Sequence, residues 1–304
     1  MLKTFIILCT LLLSASLSLG QTSENNGNSP SGRDEISTSK ISKRKKKRKK
    51  YKLPKVDLSH WKVTIPVGEP KIIEVDPPEI LDYATNEVLK PYMYNDSTKG
   101  ALVFHAVPAQ TTTNTKYSRS ELREQMVPGN NSVNWTFAQG GKLKVKMAMD
   151  KISRDENGKY HKTIITQIHG RLTNEQRDEI GQKDNNAPPI LKIYWQNGKI
   201  RVKTKKLRTS NIGPVEILKK ESWVDDEGFN FEQKVGFKKF TIEVEVEEGK
   251  MVISLNGQEY KTYEDVHMQR WGVFENYFKV GNYLQTRDEN AFADVRVYNI
   301  EVEH

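Results

Sequence analysis

From residue 56 onward, apolar side chains recur at every second position and no long stretch keeps a 3.6-residue repeat. Leu143, Val145, Met147 and Met149 alternate with Lys142, Lys144 and Lys146. Phe240, Ile242, Val244 and Val246 alternate with Thr241, Glu243, Glu245 and Glu247, and Ile200, Val202 and Thr204 with Lys199, Arg201, Lys203 and Lys205. Successive strand side chains point to opposite faces, so each segment has one dry and one wet face, as in antiparallel sheets solvated on one side.

Turn residues separate these segments. Asn197-Gly198 predicts a hairpin between strands at Ile190–Gln196 and from Lys199. Glu248-Gly249 and Asn256-Gly257 mark two more turns, and residues 172–189, ending in Pro188-Pro189, read as a long loop holding one helical turn. Many antiparallel strands over about 250 residues imply an all-β fold, a two-sheet antiparallel sandwich of jelly-roll, concanavalin-like type, forming one domain over 56–304.

Charge separates that domain from what precedes it. The 304 residues carry 48 Lys+Arg against 39 Asp+Glu, but residues 40–52 alone hold ten basic residues and no acid. Beyond residue 52 basic and acidic residues are equal in number, which argues against a surface built to grip nucleic acid. Residues 1–20 read as a secretory signal: Lys3, an apolar run from Phe5 to Leu13 too short to span a bilayer, and Ser18-Leu19-Gly20 before a cut at Gln21. A secreted protein, extracellular or periplasmic, is expected. Its single cysteine, Cys9, lies in that signal, so the mature chain has no disulfide, thiolate nucleophile or Cys-ligated metal, as suits an exported bacterial enzyme. The stretch 21–55 reads as a flexible linker, and its basic run as a spacer or as a tether to an anionic polymer or cell surface.

Three segments carry reactive groups on the polar face. Arg119, Glu121, Arg123 and Gln125 alternate in Arg-Ser-Glu-Leu-Arg-Glu-Gln, about 7 Å apart in succession, and guanidinium forks of this kind bind carboxylates in bidentate fashion. Gln167 and His169 share a face, with Ile164 and Ile168 expected on the other; an amide beside an imidazole can hold an oxyanion next to a proton acceptor. Tyr277, Lys279, Tyr283 and Gln285 form a third row, with Phe278 and Val280 behind it and Gly281 allowing close approach. Taken singly, each segment also fits a bland reading: a salt-bridge ladder, a structural histidine, an amphipathic strand.

In order, Arg-Ser-Glu-Leu-Arg, Gln-Ile-His and Tyr-Phe-Lys-x-Gly-x-Tyr-x-Gln resemble the three signature motifs of alginate lyases of polysaccharide lyase family 7. Asp57–Pro66 and Pro189–Trp195 resemble further stretches of that family, and the similarity covers about residues 56–302. Leu284 departs from it at a position expected to face the core. The resemblance implies β-elimination on alginate without metal or cofactor, by a monomer that accepts guluronate-containing stretches. It gives Arg123, Gln167, His169 and Tyr283 catalytic roles and Arg119, Glu121, Lys279 and Gln285 substrate-binding roles. Eliminative chemistry needs donors that neutralise the uronate carboxylate, a base for the C5 proton and an acid for the C4 leaving oxygen. Arg123, Gln167 and Arg119 can supply the donors, and His169 and Tyr283 the acid and base. Two other readings are a noncatalytic sandwich that binds an acidic polysaccharide, and a glycoside hydrolase using Glu243, Glu245 or Glu247.

Overall fold

The computed structural model describes residues 51–68, 71–109 and 116–304. The expected export signal, the expected linker up to residue 50 and most of the basic run lie outside the described residues. The strands are β1 Trp61–Thr64, β2 Glu74–Val75, β3 Met93–Asp96, β4 Ala101–Ala106, β5 Arg119–Glu124, β6 Trp135–Thr136, β7 Gly141–Ile152, β8 Thr163–Arg171, β9 Asn186–Gln196, β10 Lys199–Leu207, β11 Trp223–Asp225, β12 Phe229–Lys234, β13 Phe240–Glu247, β14 Lys250–Leu255, β15 Glu259–Tyr263, β16 Glu275–Leu284 and β17 Ala293–Glu303. All pairings between them are antiparallel.

They form two sheets. A ten-stranded sheet runs β11-β10-β9-β8-β16-β5-β1-β2, with β12 beside β10 and β6 beside β16, and a seven-stranded sheet runs β15-β14-β13-β7-β17-β4-β3. One apolar cluster joins them: Leu122, Ile168, Phe278 and Val280 from the first meet Leu143, Val145, Ile242 and Val295 from the second. Order along the sheet does not follow order along the chain, since β16 lies between β5 and β8. The three chemically unusual segments are thereby brought onto adjacent central strands of one jelly-roll sandwich. Phe278, fully buried behind β16, holds Tyr277 and Lys279 at fixed height; truncating such a ring to Ala costs about 3–5 kcal/mol.

The expected hairpin turn is present, with Asn197 at φ 51° and Gly198 at φ 78°, the conformation an Asn-Gly turn favours. Two expectations are corrected. The loop after β8 does hold a short helix, α1 Asn174–Glu179, capped reciprocally by Thr173 and Gln176, but β9 begins at Asn186 and runs through Pro188-Pro189. The prolines are tolerated because pairing with β8 is irregular there. Ile164 faces the same side as Gln167 rather than the core. A register shift lets Ile165 take its place in the core, and the partner strand shifts at Gly281, whose φ of 149° and contact with β5 leave no room for a Cβ. Just ahead of residue 56, the Lys52 and Lys55 backbone N–H groups donate to the Ser97 and Tyr298 carbonyls.

Candidate active site

The solvent-facing side of the central strands floors a cleft of about 590 Å³. Cross-strand register builds it in rows. One row runs Lys62–Arg123–Lys279–Gln167–Lys192–Lys203 across six neighbouring strands, each residue directly opposite the next. A second runs Arg119–Tyr283–Ile164–Tyr194–Arg201, and Tyr277 stands opposite His169. Eight basic side chains line the cleft against one carboxylate, Glu74. A domain with no formal net charge thus turns a strongly positive face toward a ligand.

Beneath this floor lies Glu121, 0% exposed. Its carboxylate receives Gln167 Nε2 at 2.6 Å and Lys279 Nζ at 2.5 Å, and Arg119 Nη1 stands 3.5 Å away. A carboxylate this deep is tolerated only with such partners, and it orients all three in return. Arg123 is held differently. Its guanidinium donates to the Glu124 and Asn131 carbonyls and to Asn134 Oδ1, and lies 4.0 Å over the Tyr277 ring. Lys62 pairs with Glu74, and Lys192 with Asp225, both at 2.5 Å.

The two candidate proton carriers have opposite surroundings. His169 stacks on Tyr277 at 5.3 Å, and its Nδ1 lies 3.0 Å from the Gly170 carbonyl. A carbonyl only accepts, so Nδ1 carries the hydrogen and Nε2 keeps its lone pair. Loss of hydration, then the positive charges of Lys279, Arg119 and Arg123, push the imidazole down to about 3. It is neutral throughout the physiological range. Tyr283 lies 4.2 Å under the Arg119 guanidinium and edge-on to Tyr117. Burial raises its pKa against the pull of Arg119, so it stays protonated. Burial, outweighing the attraction of Glu121, also pushes Lys279 down to about 8. Tyr283 stands opposite Ile164, and His169 lies further along β8 past a register shift, so the two mark the ends of one stretch of the cleft. Arg119 connects the two ends, covering the tyrosine and acting on the histidine.

Arg119, Arg123, Gln167, His169, Lys279, Tyr283 and Gln285 all line the cleft. Glu121 does not; it lies under it. Gln125, on the same face of the chain, turns away to bind Asp76, Asn131 and the Gly129 N–H, bracing the loop that holds Arg123. Sequence reasoning missed Lys62, Tyr117, Lys192 and Tyr194. Lys192 and Tyr194 were visible as the polar face of β9.

Glu243, by contrast, faces away from the core on the other sheet and pairs with Lys142 and Lys144, so no hydrolase site forms there. The fold and the positive cleft, holding an acceptor imidazole and a protonated phenol, define an enzyme that acts on an acidic polysaccharide. The chain belongs to the alginate lyase family, whose profile matches residues 56–304. Among solved structures, alginate lyase A1-II′ of polysaccharide lyase family 7 is 27% identical, with 82% of this chain and 96% of that one covered at a TM-score of 0.63. A His→Asn, Tyr→Phe double variant of that enzyme in complex with substrate (GGMG) is similar at 26% identity, 82% and 94% coverage and a TM-score of 0.63. An alginate lyase from Pseudomonas aeruginosa, PA1167, shares the fold at 21% identity, 82% and 100% coverage and a TM-score of 0.59. No curated protein matches this chain. The chain is a polysaccharide lyase that cleaves alginate; the reading as a noncatalytic binding sandwich is not favoured.

Proposed function

We propose that this enzyme cleaves guluronate-containing stretches of alginate, with His169 as base and Tyr283 as acid. The observation that carries this reading is the neutral His169 ring, with Nδ1 engaged by a carbonyl and Nε2 left to accept. Arg119, Arg123 and Gln167 neutralise the uronate carboxylate. Nε2 takes the C5 proton, electron density moves into the carboxylate as an enediolate-like dianion, and the C4–O bond breaks as C4=C5 forms. Tyr283 gives its proton to the leaving oxygen. Removing one donor aimed at such a dianion costs on the order of 100-fold in rate. A raised tyrosine pKa suits the acid and disfavours Tyr283 as a base, which a mannuronate reaction on the other ring face would need. Glu121 acts through Gln167, Lys279 and Arg119 and does not touch the sugar. The substrate complex of the His→Asn, Tyr→Phe variant supports giving chemistry to a His–Tyr pair and binding to other residues.

The test is His169→Ala on polyguluronate and polymannuronate, followed through the ultraviolet absorbance of the new double bond. Guluronate cleavage falls further; equal loss on both polymers would remove His169 as the base. We further propose that residues 1–20 direct secretion and that the basic run of 40–52 tethers the enzyme to anionic polymer. Among the described residues no helix is long and apolar enough to cross a membrane. Deleting residues 21–52 then weakens apparent affinity at low salt and leaves the maximal rate unchanged, and the two forms converge well above ~0.15 M salt.

A further inference from the structure

The outward face of the seven-stranded sheet is mostly charge-balanced, as the pairs of Lys142 and Lys144 with Glu243 show. One corner is not. There Tyr298 lies against Ala101 and Ala148, the three forming an apolar cluster separate from the main core. Lys239 Nζ sits 3.8 Å over the Tyr298 ring. Lys146 is paired with Asn299 in the ladder, and the Lys52 Cβ packs beside Gly100, next to Lys99. All four lysines are exposed, and none has a carboxylate within ion-pair distance among the described residues. The nearby acids, Asp96 and Asp150, are both engaged by Arg296, at 2.9 and 2.8 Å. Lys239 is held below the usual lysine range, by partial burial first and then by Lys146, Lys52, Lys99 and Arg296.

We infer that Lys52, Lys99, Lys146 and Lys239, grouped around Tyr298, form a second binding surface for a polyuronate chain, on the side of the sandwich opposite the cleft. Four unopposed ammonium groups, Lys146 on β7, Lys99 in the turn between β3 and β4, Lys239 just before β13 and Lys52 ahead of β1, match a polymer with one carboxylate per sugar. The occupant is an uncut stretch of the polymer the cleft degrades, so this inference rests on the substrate class read from the cleft. The patch contains no acid, base or fixed oxyanion donor, so it holds polymer without cutting it. It also continues the basic run in the chain, since Lys52 is that run's last residue.

The experiment compares the full chain with a variant carrying Lys99→Gln, Lys146→Gln and Lys239→Gln, which leaves the basic run of 40–52 intact. Retention on calcium-alginate beads is measured against salt, in the cold, with excess unsaturated uronate trisaccharide filling the cleft. Wild type is retained at low salt and the variant at least fivefold less, with convergence at high salt; both cleave short oligouronates at the same rate. Equal retention of the two proteins, or complete release of wild type by the trisaccharide, would overturn the second surface. If double-stranded DNA displaces wild type from the beads as well as soluble alginate does, the polyuronate assignment is overturned. Failure of both proteins to cleave oligouronates would instead count against the cleft reading.

Discussion

The polar faces of β7 and β13 and those of β5, β8 and β16 obey the same alternation, yet they do different work. On β7 and β13 lysine meets glutamate in the open, and an exposed pair of this kind adds 0–1 kcal/mol. On β5, β8 and β16 the cations outnumber the acids, and the one central carboxylate, Glu121, is sealed beneath them. Periodicity locates both faces equally well. The kind of charge, and whether it is compensated in water or out of it, separates a solvated wall from a reactive floor.

Five variants sharpen that contrast. The largest effect belongs to Tyr283→Phe, expected to lower kcat about 100- to 10,000-fold while the thermal melt stays near wild type, since no core cavity is opened. Activity near wild type in the purified variant would remove Tyr283 as the acid. Glu121→Gln comes next. It takes the charge from the group that orients Gln167, Lys279 and Arg119, and loss of one partner of a buried pair destabilises by about 3–5 kcal/mol. Misplacement of the donors lowers kcat about 100-fold, read by steady-state kinetics beside calorimetry.

The pH dependence is gentler. Lys279 is displaced downward, so it binds fewer protons folded than unfolded between pH 8 and 10.5. Its contribution to stability therefore rises with pH across that window while the cleft loses a positive charge and the rate falls. A Lys279→Met enzyme, slower throughout, lacks the inflection near pH 8. His169 is displaced the same way, so the stability from its neutral ring is complete above pH 6.5 and is lost as pH falls toward 3. His169→Gln flattens that acid limb of the melting curve. The smallest effect is Glu243→Gln on the other sheet, expected within about 0.5 kcal/mol of wild type and without change in rate.

Strand identity and the hairpin at Asn197-Gly198 were legible because alternation and turn chemistry are local, whereas the grouping of the three cleft segments, a matter of nonlocal strand order, followed only from their resemblance to the family's motifs. The face of Ile164 was not, because a register shift resets parity and depends on two partner strands at once. The strand through Pro188-Pro189 was hidden because irregular pairing suspends the usual penalty for a missing N–H. Glu121 looked like a ligand for sugar because sequence spacing shows which face a residue shares and not how deep it sits. Arg123 owes its orientation to the Asn131 carbonyl and the Asn134 side chain, groups that no pattern within β5 reveals.

The row from Lys62 to Lys203 has one more consequence. Its step is the distance between hydrogen-bonded strands, about 4.8 Å, a length dictated by backbone geometry and indifferent to side chains. A row with that step is a ruler. A polymer laid along it would meet a fresh strand at each such step, whatever side chains the strands carry. Mutation can erase a mark on this ruler, as Gln167 does between Lys279 and Lys192, but cannot change its spacing.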